Sequence, residues 1–349
     1  MNDASDGVMD GMMTGSPVMM GGMTVSTALP TTAGTSDLGA AMNAFMISAQ
    51  NQSGITTQTL ITKLNLASGQ MLSGGPAMVN ATVSGTVFNG PMSKATVKAF
   101  AINNGTMGAQ IASVATDGQG NFTMPLGSYS GPVMLQVSGG VYTDEATGTT
   151  MTMAASDVMS AVLSSSVVSG ANVTGIWVTP VTSMAQNRVL AMSGGMTDAN
   201  IAAANTAMGY YFSVTTGILT TRPMNPLVAG SGTNVTADMR NYGAAIAAMS
   251  EYAKTNTVAV SSTFVTAMMN DASDGVMNGK MGSSQITMQM SGGMGGGMNG
   301  MGNMALTAGT SGLAAAMTGF MNSAANLSGL TATNMATLIQ MLSNSNGQI

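Results

Sequence analysis

The sequence predicts an α+β multidomain chain that begins with part of a helical repeat. Three observations carry this. The chain opens with MNDASDGVMDG, residues 1–11, and returns to MNDASDGVMNG at 269–279, the two differing only at Asp10 against Asn278. After a Met/Gly-rich spacer, AGTSDLGAAMNAFM from Ala33 is matched by AGTSGLAAAMTGFM from Ala308. Each continues through an N-x-S-G turn, at Asn51 and Asn326. A period of about 270 residues points to a repeat array or an assembly. Between the copies the apolar period drops from helical spacing to two over residues 78–153 and then returns. Third, 45% hydrophobic residues against 6% charged ones describe a folded chain rather than a disordered one. The expected divisions are 1–75, a Met/Gly spacer and helical hairpin; 76–154, strands; and 155–349, a helical domain whose second half, 269–349, repeats 1–75.

Taken in order, residues 12–32 have neither period. A helix begins at Ser36 or Asp37, either of which caps a first turn, and Leu38, Met42, Phe45, Met46 and Ala49 form its apolar face. After Gln52-Ser53-Gly54, Thr56 or Thr57 caps a second helix carrying Leu60, Ile61 and Leu64. Such a hairpin is too small to bury its own apolar face and needs a partner.

ATVSGTVFNG, KATVKAFAI, QIASVATDGQGNFTMPL and PVMLQVSGGVYTDEATGTTMTM read as strands parted by Gly, Asn and Asp turns. Val83, Val87, Val97, Phe100, Phe122, Leu135 and Val137 are the expected inward residues. The run Thr116-Asp117-Gly118-Gln119-Gly120-Asn121-Phe122 resembles the T-D-x-x-G-x-F hairpin of carboxypeptidase-regulatory-like, transthyretin-like β-sandwiches, over roughly 75 residues. The resemblance implies an Ig-like or transthyretin-like sandwich that is a structural module, with no catalytic residue.

Helical spacing is expected again from Asp157 through VMSAVLSSSVV. An extended run then leads to Pro180 and a helix; Thr197-Asp198 caps the next, TADMRNYGAAIAAMSEYAK is a long helix, and STFVTAMM runs into the repeated element. A capped helix from Ser311, a turn at Ser328-Gly329 and a helix with Leu338, Ile339 and Leu342 close the chain. With T-D-E-A-T-G at 143–148, V-T-P-V-T at 178–182 and the Ala-rich helices, this order resembles a layout of secreted bacterial envelope lipoproteins and surface proteins. That resemblance implies an extracellular or cell-surface location in bacteria and no particular activity.

Composition narrows the function classes. The chain has no His and no Cys, so the commonest general base, the thiol nucleophile and the usual zinc ligands are missing, and no enzyme activity is expected. Eight Lys and Arg residues in a chain of net charge −5 offer no phosphate-binding cluster, so no nucleic-acid partner is expected. No run of ~18 apolar residues marks a membrane span. Residues 1–20 lack a signal-peptide pattern, and Met1 aligns with the internal Met269, so the chain is read as a portion of a longer precursor. Sequons at Asn51, Asn80, Asn104, Asn121, Asn172, Asn234 and Asn326 are too common in so Ser/Thr-rich a chain to be diagnostic.

Two metal readings are weighed against bland ones. Asp3, Asp6 and Asp10, with Asp271, Asp274 and Asn278 in the second copy, space oxygens that suit calcium, although not at EF-hand intervals. The bland reading is a Gly275 helix stop with its acids in water. Met288, Met290, Met294, Met298, Met301 and Met304, echoed by Met9, Met12, Met13, Met19, Met20 and Met23, could gather around Cu(I). The 39 Met residues recur in expected core positions too, at Met42, Met46, Met134 and Met317, so packing is the preferred account and no cofactor is expected, calcium excepted.

The expected function is a structural subunit of an extracellular or cell-surface filament. Its opening half-domain would bury Leu38, Met42, Phe45, Leu60 and Leu64 on a neighbouring chain, most simply by pairing the two related hairpins into a head-to-tail homopolymer. The alternative is a monomeric surface module for carbohydrate, a mineral surface or a soft metal; one Trp and 4% aromatic residues speak against carbohydrate.

Overall fold

The period-two stretch becomes strands β1 (Ala81–Val87), β2 (Thr96–Asn103), β3 (Thr106–Ala115), β4 (Asn121–Gly127), β5 (Val133–Ser138), β6 (Val141–Thr143) and β7 (Thr150–Thr152). The structure is a computed structural model that describes residues 35–46, 81–168, 172–258, 260–289, 303–305, 311–344 and 347–349. Two further strands join these: β8 (Val158–Leu163) and β9 (Val173–Val178). One sheet runs β3-β2-β5-β8, antiparallel throughout; the other runs β4-β1-β9, with β9 parallel to β1. The protein is thus α+β.

Val83 and Val87 from β1, Phe122 and Met124 from β4 and Ile176 from β9 share one buried cluster with Val97, Leu135, Val137, Ala161 and Leu163 of the other sheet. Alternation along each strand produces this, since residues two apart share a face. Phe100 is a correction to the expected inward set. Its place in β2 is one residue out of phase with Val97 and Ala99, so it lies on the opposite face with Ile102, Met134 and Val162. Asn104 and Gly105 both take positive φ, 50° and 76°, which gives the β2–β3 hairpin the turn handedness that matches strand twist. The signature loop is locked by Asp117, whose Oδ1 accepts from the amides of Gln119 and Asn121, both at 2.8 Å.

The stretch from Asp157 is a second correction. VMSAVL forms strand β8 against β5, and only Ser165–Val168 is helical, as the short helix α2. Met159 to Leu163 are all buried because one face meets the other sheet and the other meets helices. A strand covered on both faces loses its alternation and cannot be told from a helix by period. The two sheets therefore continue past residue 155 to Val178.

The helices are α1 (Thr35–Met46), α3 (Pro180–Ala191), α4 (Asp198–Tyr211), α5 (Ala237–Thr255), α6 (Ser261–Ala272), α7 (Leu313–Met321) and α8 (Ala336–Asn344). Thr179, Thr197 and Thr236 cap α3, α4 and α5 through their hydroxyls, as Ser/Thr before an apolar-periodic run should. For α7 the expected Ser311 cap is not made: Gly312 is already helical and no side chain caps the first turn. The chain divides into two units, Met1–Met78 and Val79–Ile349. In the first, α1 carries Met42 and Met46 partly buried and Phe45 53% exposed. In the second, α3 and α4 place Val189, Ile201 and Ala204 against Phe100, Met134 and Val162 on the outer face of the four-stranded sheet. No helix among the described residues is long and apolar enough to cross a membrane.

Candidate functional site

The centre of the helical part is α5. Residues Tyr242 to Ala253 are all buried, and Ala244, Ala245, Ala247 and Ala248 keep its surface low enough for helices to approach on several sides. Alpha-7 lies along it, and α8 lies on α7. Leu313, Met317 and Phe320, spaced at i, i+4 and i+7 on one face of α7, are fully buried in the α5 cluster, joined by Leu338 and Leu342 of α8. Asn326 ties the link between α7 and α8 together, and backbone bonds join Leu327 and Ser328 to residues 226–232. Asn326 Nδ2 donates to the carbonyls of Leu330, 2.8 Å, and Met321, 3.1 Å, while its Oδ1 accepts from the Ser328 hydroxyl at 2.6 Å. Gly329, φ 78°, makes the reversal. This hairpin is the closing piece of the helical core.

The repeated Asp-Gly element, 269–279, begins in the last turn of α6 and continues past its end. Gly275, φ 90°, ends the helical run in the left-handed conformation that glycine adopts without strain. Asp271 Oδ1 accepts from the amides of Asn278, 2.9 Å, and Gly279, 2.6 Å. Asp274 takes the amides of Val276, 3.0 Å, and Gly282, 2.8 Å, and Asn278 Oδ1 takes that of Lys280, 2.9 Å. The acids therefore cap their own loop. The expectation that they all face water needs correcting: Asp274 is exposed, but Asp271 is fully buried. Burial, against the Gly279 and Asn278 bonds, raises its pKa to about 6. Its Oδ2 has no partner, nor does the buried Tyr211 hydroxyl, whose pKa is pushed up by burial and by the Asp271 charge. No group of three or more acidic side chains suited to a metal ion forms among the described residues. Asp3, Asp6 and Asp10 lie outside them.

Hydrogen bonds to the carbonyls of Gly347 and Gly275 tie the element to the chain's last described residues: Met277 N donates to Gly347 O at 2.7 Å and Ile349 N to Gly275 O at 2.9 Å.

A buried polar seam joins sheets to helices, and composition alone did not disclose it. Glu145 is fully buried and accepts from the Ser250 hydroxyl of α5 at 2.7 Å; burial raises its pKa to about 7. Asp157 accepts from the hydroxyls of Ser262, 2.7 Å, and Thr266, 3.1 Å, on α6, and Tyr142 meets Ser261 at 2.7 Å. Thr179 meets the Tyr242 hydroxyl at 2.7 Å, and Thr182 donates to Ser160 O at 2.8 Å. The stretches 143–148 and 178–182, singled out earlier only as a resemblance, contribute Glu145, Thr179 and Thr182. The legible signal was acids amid apolar residues in a chain of so few charges.

Of the candidate copper ligands, Met288 is buried in the α5 cluster, and Met290, Met294, Met298 and Met301 lie outside the described residues, as does the side chain of Met304. Met134 and Met317 are buried as expected, along with Met92, Met124 and Met184. Of the expected interface residues, Met42 and Phe45 are described, while Leu60, Leu64 and the side chain of Leu38 are not. A shallow depression of about 600 Å³ lined by Ala146, Thr147, Lys254, Ala325 and Leu327 brings together one cation and small side chains, with no acid-base pair. Compared with known proteins, the chain matches no family model, no curated protein and no solved structure.

Proposed function

We propose that this chain is a structural subunit of an extracellular or cell-surface filament, joined head-to-tail through its N-terminal segment. The observation that carries the reading is the duplication: the residues that close the helical core at 308–342 are present a second time at 33–64. A duplicated closing piece in one chain supports a contact that passes from copy to copy, because such a heterologous contact propagates unless its rotation closes a ring. In this reading the two sheets are an Ig-like or transthyretin-like sandwich serving as a spacer. The seam of Glu145, Asp157 and Thr179 holds spacer and helices in one orientation, which a filament needs. The surface-protein resemblance supports the location.

The test is sedimentation and negative-stain imaging of the full chain beside Phe45→Asp. Wild-type chain is expected to pellet as elongated particles and Phe45→Asp to remain in the supernatant. Wild type eluting near 34.8 kDa at every concentration would overturn the filament and favour the monomeric binding module.

A further inference from the structure

The structure shows what a closing hairpin must look like to enter the α5 core, and the N-terminal copy keeps five of its buried apolar positions, although Gly39 replaces Ala314 and buried Met335 has no apolar counterpart. Leu38, Met42 and Phe45 align with Leu313, Met317 and Phe320, which are each 0% exposed. With a three-residue gap before the second helix, Leu60 and Leu64 align with Leu338, 2% exposed, and Leu342, 0%. The turn is kept as well. Asn51, Ser53 and Gly54 stand where Asn326, Ser328 and Gly329 make the link between α7 and α8. Further on, Gly69-Gln70 matches Gly347-Gln348, the residues paired with the Asp-Gly element.

The differences between α1 and α7 are equally informative: Asp37 for Gly312, Gly39 for Ala314, Asn43 for Thr318 and Ala44 for Gly319. Gly319 faces α5, and a Cβ there would sit 3.7 Å from Glu251 Cγ and 3.8 Å from its Oε1, an ordinary van der Waals contact. The methyl group that Ala44 brings therefore fits without displacement. Thr318 is partly exposed, so Asn43 is accommodated, and Asp37 adds an acid at the helix start, where the dipole favours it.

We infer that α1 and the segment after it are the closing hairpin of another copy of this fold, and that they dock along α5 of a second chain in place of α7 and α8. The inference rests on the filament reading and names its contact. It replaces the pairing of hairpin with hairpin by the seating of one hairpin on α5. The resident hairpin competes as a tethered ligand at an effective concentration on the order of millimolar. Exchange therefore depends on how firmly α7 holds.

Cross-linking reads the contact directly, because the chain has no Cys of its own. A full chain carrying Ala44→Cys and Glu251→Cys, treated with a short bismaleimide, is expected to give a ladder of linked chains on a denaturing gel. Adding Phe320→Ala, which weakens the resident helix, is expected to raise the ladder roughly tenfold or more. Phe320→Leu should raise it less, and serves if Phe320→Ala does not fold. Gly319→Cys with Glu251→Cys is the positive control and links within one chain. A further Phe45→Asp should abolish the ladder. If the chain still pellets as filaments but positions 44 and 251 do not link, the contact named here is wrong and the filament stands. If it neither pellets nor links, both fail. A fast-migrating, internally linked monomer would also overturn the inference, by placing α1 in its own chain's seat.

Discussion

At the scale of single residues, the acids are the unusual groups. Glu145 is buried beside Ser250 with one carboxylate oxygen unpartnered, and its pKa of about 7 lies above the ordinary 4.5. The folded chain therefore keeps a proton that the unfolded chain loses, so the stability from this group is full below the unfolded value and is lost as pH rises through about 7. Asp271, raised by burial from 3.8 to about 6, acts with the same sign. Together they predict a melting temperature that falls between about pH 5 and about pH 8, with Glu145 contributing on the order of 3 kcal/mol at most. Glu145→Gln keeps an acceptor for Ser250 and removes the titration, so most of the slope should vanish in that variant. A wild-type melting temperature flat across this window would refute the assignment. Asp117 acts in the opposite sense, because the Asn121 and Gln119 amides hold its carboxyl below the usual range, but its effect belongs to more acid solution.

At the scale of elements, the two copies of one helix stand in different surroundings. Phe320 of α7 is fully buried and Phe45 of α1 is 53% exposed. Phe320→Ala should therefore destabilise the chain by about 3–5 kcal/mol through transfer and cavity terms. Phe45→Ala should cost clearly less than Phe320→Ala, because about half of Phe45 is already exposed. Chemical denaturation of both variants under dilute conditions checks this, and equal losses would show that α1 is already packed within its own chain. The Asp-Gly element carries a second prediction. Since Asp271 Oδ1 and both oxygens of Asp274 are taken up by the amides of Asn278, Gly279, Val276 and Gly282, a chelator should leave the melting temperature unchanged. A drop of several degrees on adding EDTA would restore the calcium reading. Element by element, the cap expected at Ser311 is not made, whereas the long helices, the Thr197 cap of α4 and the turn at Asn104-Gly105 between β2 and β3 were legible because their signals are local. Strand β8 was not, because burial on both faces erased its period.

At the scale of the molecule, the sheets and helices from Val79 to Ile349 share one unit, and the seam explains why. Tyr142, Glu145 and Asp157 on the strand side meet Ser250, Ser261, Ser262 and Thr266 on α5 and α6. Buried polar pairs of this kind are costly to separate, since each partner would be left without a hydrogen bond. The filament reading uses that rigidity: a contact made along α5 is transmitted to the sheets without a hinge in between.

The duplication, the alternation of the outer strands, the Thr197 cap and the apolar face of residues 313–342 were determined by the sequence alone. They are properties of neighbours along the chain, and period and identity record them. Only the tertiary structure decided that 158–163 is a strand, that Phe100 faces the helices, and that Asp271 and Glu145 are buried. Those outcomes depend on what covers a segment from elsewhere in the fold, and no local pattern carries that information. The role of the C-terminal hairpin belongs to the same class: its sequence showed a face to be buried, and α5 is what buries it.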